Sequence, residues 1–309
     1  MKKILLSAPY MLIDTDRFKG FFAEHNLDVT YANVVERMGE DELFDIIASY
    51  DGSICGDDPY TRRVLSKACN LKVISKWGTG IDSIDLQAAK EFGIKVCNTP
   101  NAFSHPVADT VLAYILAFAR NVVSTTASMK NGIWSKTPCF ALSERTLGII
   151  GLGNIGTQVA RRASAFGMNI IANDIKPIQP ILLEQYGVEM VTKHDIYSNS
   201  DFISVHCDLN ESSYHVLDYD AFDAMKKKPY IINTARGGHI KHEALLFALE
   251  NGLIGGVGLD VFAIEPIPQN DPLLGFDNVL LAPHNSNSSP KYWNLVHENT
   301  LRSLIENLH

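Results

Sequence analysis

The segment 146–174 constrains the fold of this chain more than any other stretch. Residues 147–150 form a short apolar run, as expected of a buried parallel strand. The sequence Gly-Leu-Gly-Asn-Ile-Gly follows at residues 151–156, and a second apolar run at 169–172 leads to Asp174. A strand, a glycine loop, a helix and a second strand ending in an acid are typical of a βαβ unit that binds a dinucleotide.

Each glycine of this loop has a predicted physical role. Gly151 permits the tight turn, Gly153 lets the backbone approach a pyrophosphate, and Gly156 lets the helix and the strand pack closely. The helix begins around Asn154 and Ile155, so its first N–H groups and the positive end of its dipole point at the phosphates. We therefore assign these five residues to a predicted cofactor site.

Asp174 predicts which dinucleotide is bound. It lies 18 residues beyond Gly156. A carboxylate there accepts hydrogen bonds from the ribose hydroxyls and repels a 2′-phosphate, so the sequence favours NAD over NADP. Lys176 is a nearby cation that could tolerate the additional phosphate of NADP.

Composition narrows the function classes. The chain has 309 residues, enough for two domains, and is 46% hydrophobic and 20% charged, as in ordinary soluble proteins. Its net charge of −8 argues against nucleic acid or an anionic membrane as a partner. Only a short apolar run follows Lys2 and Lys3, which predicts no targeting segment and a cytoplasmic protein.

The five cysteines predict neither disulfides nor a metal site. They are odd in number and scattered, and no pair has the spacing of metal ligands. We interpret them as reduced thiols. Cys207 falls in an apolar run predicted to be a strand, so we expect it in the core rather than acting as a nucleophile.

The order of the predicted elements indicates two domains. Strand-like and helix-like runs alternate almost throughout, which predicts an α/β fold with parallel sheets. Residues 1–100 contain the elements of a small α/β domain, and a turn-rich linker and a long apolar helix ending near Arg120 follow. The helical pattern near the end could return to this first domain. We predict a substrate domain of residues 1–100 plus 286–309, interrupted by a dinucleotide domain of residues 101–285.

Three polar motifs follow strands of the dinucleotide domain. They contain Arg236, Glu265 and His284. Taken singly, each residue has an ordinary interpretation as a surface arginine, a loop carboxylate or a structural histidine. Because the carboxyl ends of parallel strands meet at one edge of a sheet, the three side chains can converge beside a nicotinamide.

The three residue types together suit hydride transfer to a carbonyl group. The cofactor supplies the hydride, and the protein supplies one proton and a binding site. Arg236 could hold a substrate carboxylate with two parallel hydrogen bonds. His284 could donate the proton or remove it, and Glu265 could orient the imidazole and favour its charged form.

These motifs resemble those of the D-isomer-specific 2-hydroxyacid dehydrogenase family over essentially the whole chain. The resemblance implies that Arg236, Glu265 and His284 are the catalytic residues. It implies further cofactor contacts, including one from an aspartate to the nicotinamide carboxamide. These contacts come from His206, Thr234, Ala235 and Asp260.

The resemblance also assigns a substrate loop and an assembly. The sequence Lys-Trp-Gly-Thr-Gly at residues 76–80 is similar to the family's glycine loop, whose backbone N–H groups bind the substrate carboxylate. The implied substrate contacts are Lys76, Gly78, Thr79, Gly80 and Arg236. The family implies a flavodoxin-like substrate domain, a Rossmann domain inserted in it, and a homodimer built on the cofactor domain.

Departures from the family pattern leave the substrate open. Asp208 stands where proline is usual, and residues 285–289 are unusually polar. The chain resembles the phosphoglycerate dehydrogenase-like group in a short form without a regulatory domain. However, Asp57 and Asp58 stand where those enzymes tend to place an anion-binding arginine. Two carboxylates would repel a phosphate, although Lys76 could offset part of this repulsion.

We therefore predict an NAD-dependent oxidoreductase that acts on a small D-2-hydroxy acid or its 2-keto acid. Three alternatives stay open. The first is phosphoglycerate dehydrogenase proper. The second is a phosphite-type dehydrogenase, which keeps the Arg/Glu/His set and a lysine before the glycine loop. The third is a non-enzymatic, NAD-sensing protein of the corepressor type, in which the same catalytic set is retained.

Overall fold

The computed structural model describes residues 1–308, which form two compact units. Unit 1 comprises Met1–Phe103 and the chain from Ser289 onward, and unit 2 comprises Ser104–Ser288. These divisions lie close to the predicted boundaries at residues 100 and 286. Each unit has a parallel sheet flanked by helices, which confirms the predicted α/β class.

Unit 1 is built on a five-stranded parallel sheet. Its strands are β1 (Lys2–Leu6), β2 (Leu27–Tyr31), β3 (Gly52–Cys55), β4 (Val73–Lys76) and β5 (Lys95–Cys97). Its first helices are α1 (Pro9–Leu12), α2 (Asp16–Glu24), α3 (Glu40–Ile46), α4 (Arg62–Lys67) and α5 (Leu86–Glu91). The order β2-β1-β3-β4-β5 reverses between β1 and β3. Such a reversal opens a crevice in which doubly wound sheets bind ligands.

The edge strand β2 was not predicted. Leu27 is buried in it, whereas Asp28 and Thr30 are exposed. A short strand at the edge of a sheet needs only one apolar face, so no continuous apolar run marks it in the sequence.

Unit 2 contains a seven-stranded parallel sheet. Its strands are β6 (Thr146–Ile150), β7 (Asn169–Asn173), β8 (Val188–Met190), β9 (Phe202–Val205), β10 (Tyr230–Asn233), β11 (Gly256–Leu259) and β12 (Val279–Leu281). Its helices are α6 (Ser104–Ala119), α7 (Val122–Lys130), α8 (Asn154–Ala165), α9 (Pro180–Tyr186), α10 (Lys193–Asn199), α11 (Tyr219–Asp223) and α12 (His242–Glu250). The order β12-β11-β10-β9-β6-β7-β8 reverses between β6 and β9, as in dinucleotide-binding sheets.

Helices α6 and α7 differ in burial. Helix α6 is largely buried, whereas none of the residues of α7 is buried. The Ser- and Thr-rich sequence of α7 has no apolar stripe, so periodicity predicts no helix there. Within residues 1–308, no single helix is long and apolar enough to cross a membrane. Helices α6 and α7 are long and apolar enough only when they are taken together, and the chain bends by 57° between them.

The prediction that Cys207 lies inside a strand is wrong. Strand β9 ends at Val205, and Cys207 is half-buried just beyond it. Burial raises the pKa of its thiol to about 11. The thiol therefore stays protonated near neutral pH, which agrees with the prediction that it is not a nucleophile.

The C-terminal helix α13 (Pro290–Glu306) packs on the sheet of unit 1. Its apolar face is buried, and the backbone carbonyl of Thr300 accepts a hydrogen bond from Ser75 Oγ at 2.8 Å. A methyl group at Gly52 would lie 3.1 Å from Leu304 Cδ1, so the helix approaches the β3 backbone closely. Helix α13 thus belongs to unit 1.

Candidate active site

Two glycines of the loop after β6 have no space for a side chain. Gly151 adopts a φ of +94°, which favours glycine, and a Cβ atom there would lie 2.5 Å from the Cys207 nitrogen. A Cβ atom at Gly156 would overlap the carbonyl oxygen of Gly151. Both glycines allow β6, β9 and α8 to approach one another closely at the point where the strand order reverses.

Gly153 lies in a different environment. No heavy atom lies within 4 Å of the position that its Cβ atom would occupy, so the loop borders open space there. Gly153 is also the N-cap of α8, and no side chain caps the helix. Open space beside uncapped helical N–H groups is suited to an anionic phosphate group.

Asp174 follows β7 and faces the glycine loop. Its Oδ2 accepts the N–H of Leu152 at 2.7 Å, and its Oδ1 accepts the N–H of Lys176 at 2.8 Å. These bonds fix the carboxylate beside the loop while each oxygen keeps a further lone pair. The carboxylate could therefore accept a ribose hydroxyl, as predicted for an NAD site.

Two buried polar atoms at the same sheet edge have no hydrogen-bond partner among residues 1–308. They are His206 Nδ1, which follows β9, and Thr234 Oγ1, which follows β10. Leaving such an atom unsatisfied costs about 1–3 kcal/mol. A bound molecule could satisfy both atoms, so these residues and the space at Gly153 fit a dinucleotide.

His206 is an uncharged side chain. Burial, followed by the charge of His239, lowers its pKa to about 3. Its Nε2 lies 2.8 Å from Ser204 Oγ. His206 therefore offers hydrogen bonds to a ligand without adding a positive charge to the site.

Arg236 is held by the turn that follows β10. Asn233, which is fully buried, accepts the N–H of Ala235 at 3.0 Å and donates to the carbonyl oxygen of Arg236 at 2.8 Å. The half-buried guanidinium donates to the Ala235 carbonyl oxygen at 2.8 Å. This role of Asn233 is not among the sequence-based predictions, although an asparagine at the end of an apolar strand is a usable signal for it.

His284 and Glu265 lie together in unit 2. His284 Nδ1 is 2.9 Å from Glu265 Oε2, and the other carboxylate oxygen accepts the N–H of Phe262 at 2.8 Å. Both side chains are largely buried, with 19% and 16% of their surface exposed. The carboxylate therefore fixes the orientation of the imidazole.

Asp260 holds the backbone that carries His284. The carboxylate is fully buried and accepts the N–H groups of Asn285 at 2.7 Å and Ser286 at 2.9 Å. The Asp260 carbonyl oxygen accepts the N–H of His284 at 2.8 Å, and His284 has a φ of +50°. Burial raises the pKa of Asp260. This positioning role is not among the sequence-based predictions, and the predicted contact of Asp260 to the nicotinamide stays a prediction.

The predicted substrate loop lies in unit 1, directly after β4. Gly78 adopts a φ of +121°, and its carbonyl oxygen accepts the N–H of Thr99 at 2.8 Å. Thr79 Oγ1 donates to the Thr99 carbonyl oxygen at 3.0 Å. In the described part of the chain, no group accepts a hydrogen bond from the backbone N–H groups of Gly78, Thr79 and Gly80. These adjacent donors are suited to a carboxylate.

One of the two acids after β3 differs from the sequence-based expectation. Asp57 Oδ1 lies 2.9 Å from Lys76 Nζ. Asp58 is fully buried and accepts hydrogen bonds from Ser7 Oγ and from the N–H groups of Met38 and Gly56. Its carboxylate therefore fixes the loop, and the prediction that both acids face a ligand is wrong for Asp58.

Comparison with known proteins identifies the family. Residues 112–286 match the family described as "D-isomer specific 2-hydroxyacid dehydrogenase, NAD binding domain". The chain belongs to this family. The protein is accordingly an NAD-dependent oxidoreductase with a Rossmann domain, which confirms the predicted family, fold class, enzyme class and cofactor.

Three relatives illustrate the breadth of this similarity. A hydroxypyruvate reductase of Thermotoga maritima is 42% identical over 255 residues, covering 81% of this chain and 82% of the relative. A D-3-phosphoglycerate dehydrogenase of Methanocaldococcus jannaschii is 41% identical over 266 residues, covering 85% of this chain and 50% of the relative. The structure of the Aquifex aeolicus D-lactate dehydrogenase with NAD and lactic acid has a TM-score of 0.84 and 28% identity, covering 97% of this chain and 93% of that chain.

Proposed function

We propose that this dehydrogenase interconverts a small D-2-hydroxy acid and its 2-keto acid, with His284 as general acid/base. The observation that carries the proposal is the 2.9 Å pairing of His284 with Glu265 in the unit that also contains the glycine loop. The three relatives described above are named for hydroxypyruvate, phosphoglycerate and lactate, which are all small 2-hydroxy or 2-keto acids.

The residues of the chain supply the proton and the orientation. Bound NADH supplies the hydride. With Nδ1 of His284 donating to Glu265, Nε2 is the nitrogen that gives a proton to the carbonyl oxygen during reduction. The same nitrogen removes the proton from the hydroxyl group during oxidation, and the fixed carboxylate stabilises the charged imidazole.

Binding of the substrate carboxylate is the proposed role of Arg236. The turn held by Asn233 restrains the backbone of Arg236, so less freedom is lost when the guanidinium binds a planar carboxylate.

The test is NADH oxidation, followed by absorbance, with a panel of 2-keto acids. The panel contains glyoxylate, pyruvate, hydroxypyruvate, larger apolar keto acids and 3-phosphohydroxypyruvate. We expect turnover of at least one acid, and a kcat lower by about 10²–10⁴-fold in His284→Ala, because proton transfer is lost. NADH affinity, measured by fluorescence, should stay close to that of the wild type.

Replacement of the exposed His194 on α10 by Ala is the matched control. It should leave turnover unchanged. Equal turnover by His284→Ala and the wild type would disprove the proton role. A wild type that binds NADH but reduces no acid in the panel would disprove the proposed reaction.

We also propose a homodimer formed through unit 2. A group of apolar side chains on and just after α7 is about half exposed or more, which is typical of an interaction surface. These side chains are Val122, Val123, Met129, Ile133 and Trp134. A second copy of the chain is the proposed partner because the family resemblance implies a dimer built on the cofactor domain.

A further inference from the structure

The loop after β3 lies where the strand order of unit 1 reverses. Asp58 accepts a hydrogen bond from Ser7 Oγ at 2.8 Å, which joins the ends of β3 and β1. The N–H groups of Gly56 and Met38 bind the same carboxylate. The loop is thus fixed in the crevice that doubly wound sheets use for ligands.

The position of this loop holds Asp57 against Lys76. Cys55 and Lys76 are paired neighbours on β3 and β4, so a residue just past Cys55 can reach the end of β4. Asp57 Oδ1 is 2.9 Å from Lys76 Nζ. Only 5% of the Lys76 side chain is exposed, against 23% for Asp57. The acid is therefore the more accessible member of the pair.

Lys76 lies beside the predicted substrate loop. A Cβ atom at Gly78 would be 3.9 Å from Lys76 Nζ, and the ammonium donates to the Trp77 carbonyl oxygen at 3.4 Å. An ammonium in this place could bind a second anionic group of a substrate, in addition to the carboxylate next to the reacting carbonyl. Because the Asp57 carboxylate already balances its charge, such a group would meet an accessible negative charge instead.

We propose that Asp57 is a specificity-determining residue. By pairing with Lys76, it selects 2-keto acids whose remaining substituent is uncharged, such as glyoxylate, pyruvate or hydroxypyruvate. It disfavours acids that carry a phosphate or a second carboxylate. This inference rests on the proposed function, and it concerns the substituent of the substrate rather than the reacting carbonyl.

The test compares kcat/KM for 3-phosphohydroxypyruvate with kcat/KM for hydroxypyruvate. We expect the ratio to rise about tenfold or more in Asp57→Asn, because one negative charge is removed and Lys76 becomes available. Lys76→Met should lower the ratio, since no ammonium then neutralises the negative charge of Asp57. In the double variant Asp57→Asn/Lys76→Met, the gain seen in Asp57→Asn should disappear.

Asp28→Asn is the matched control because it makes the same charge change at an exposed position of β2. It should leave the ratio unchanged. An unchanged ratio in both Asp57→Asn and Lys76→Met would overturn the proposal. A gain that persists in the double variant would also overturn it, since the effect would not act through Lys76.

A binding measurement separates this inference from the proposed function. Calorimetric titration in the presence of NAD compares the affinities of 3-phosphoglycerate and D-glycerate for the wild type and the same variants. An inactive wild type would disprove the proposed reaction, whereas the affinity ratio still tests Asp57. A wild type that prefers 3-phosphoglycerate would overturn the inference and favour phosphoglycerate dehydrogenase proper.

Discussion

At the scale of residues, carboxylates determine the geometry of the loops at both sheet edges. Asp174, Glu265, Asp260 and Asp58 each accept at least one backbone N–H group. The sequence identifies each acid at a strand end or in the loop beyond it. It does not show which acids bind backbone, because that depends on where neighbouring loops lie.

His297 gives a residue-scale prediction about stability. Its Nδ1 accepts the Trp77 indole N–H at 2.9 Å inside unit 1. Burial, followed by the charge of Arg17, lowers its pKa from 6.5 to about 4. At a pH between these two pKa values, His297 binds a proton in the unfolded chain but not in the folded protein. The stability of the folded state therefore falls as the pH decreases through this range.

We expect His297→Gln to reduce this loss of stability, because Gln can accept the indole N–H but does not titrate. Between about pH 7.5 and about pH 5, the difference from the wild type should be about 1–2 kcal/mol. Urea unfolding followed by tryptophan fluorescence measures it. His194→Gln, at an exposed position, serves as the control, and equal pH dependence in His297→Gln and the wild type would contradict the prediction.

At the scale of elements, the glycine loop is the connection between β6 and α8. The sequence predicted three different roles for its glycines, and the structure gives them three different environments. Gly151 has a positive φ, Gly153 borders open space, and Gly156 contacts the backbone of the turn. The pattern was readable because only glycine satisfies these backbone requirements.

Two alanine substitutions in this loop should affect two different properties of the protein. Gly156→Ala should destabilise the fold by about 1–3 kcal/mol, because the methyl group forces α8 away from β6. Gly153→Ala should change stability by less than about 0.5 kcal/mol, since its φ of −73° suits alanine and no atom lies nearby. It should nevertheless weaken NADH binding about tenfold or more, because the methyl group occupies the space of the pyrophosphate.

Thermal unfolding and fluorescence titration with NADH measure these two effects separately. Each variant serves as the control for the other. NADH affinity equal to that of the wild type in Gly153→Ala would show that the open space is not the pyrophosphate site.

At the scale of the whole molecule, the proposed dimer gives a further prediction. Val123 on α7 is 53% exposed. A glutamate at this position should convert a dimer to a monomer, because a buried and unpaired charge opposes association. Light scattering after size-exclusion chromatography measures the mass. Thr30→Glu, on the exposed side of β2, should leave the mass unchanged, and a wild type that is monomeric at all concentrations would contradict the proposal.

The α/β class, the glycine loop and the catalytic candidates can all be read from the amino-acid sequence. Parallel strands buried on both faces leave continuous apolar runs, and special backbone conformations require glycine. These signals are local, so a single sequence shows them. The edge strand β2 and the exposed helix α7 lack such a signal, because neither buries a continuous apolar surface.

The pairing of the polar groups, in contrast, depends on the tertiary fold. Asp57 and Asp58 are adjacent in sequence, yet one contacts Lys76 and the other is buried among Ser7 and backbone N–H groups. The positioning roles of Asn233 and Asp260 likewise depend on contacts with neighbouring loops. The partner of a charged or polar group is set by the three-dimensional arrangement of distant segments, which hydrophobic periodicity does not encode.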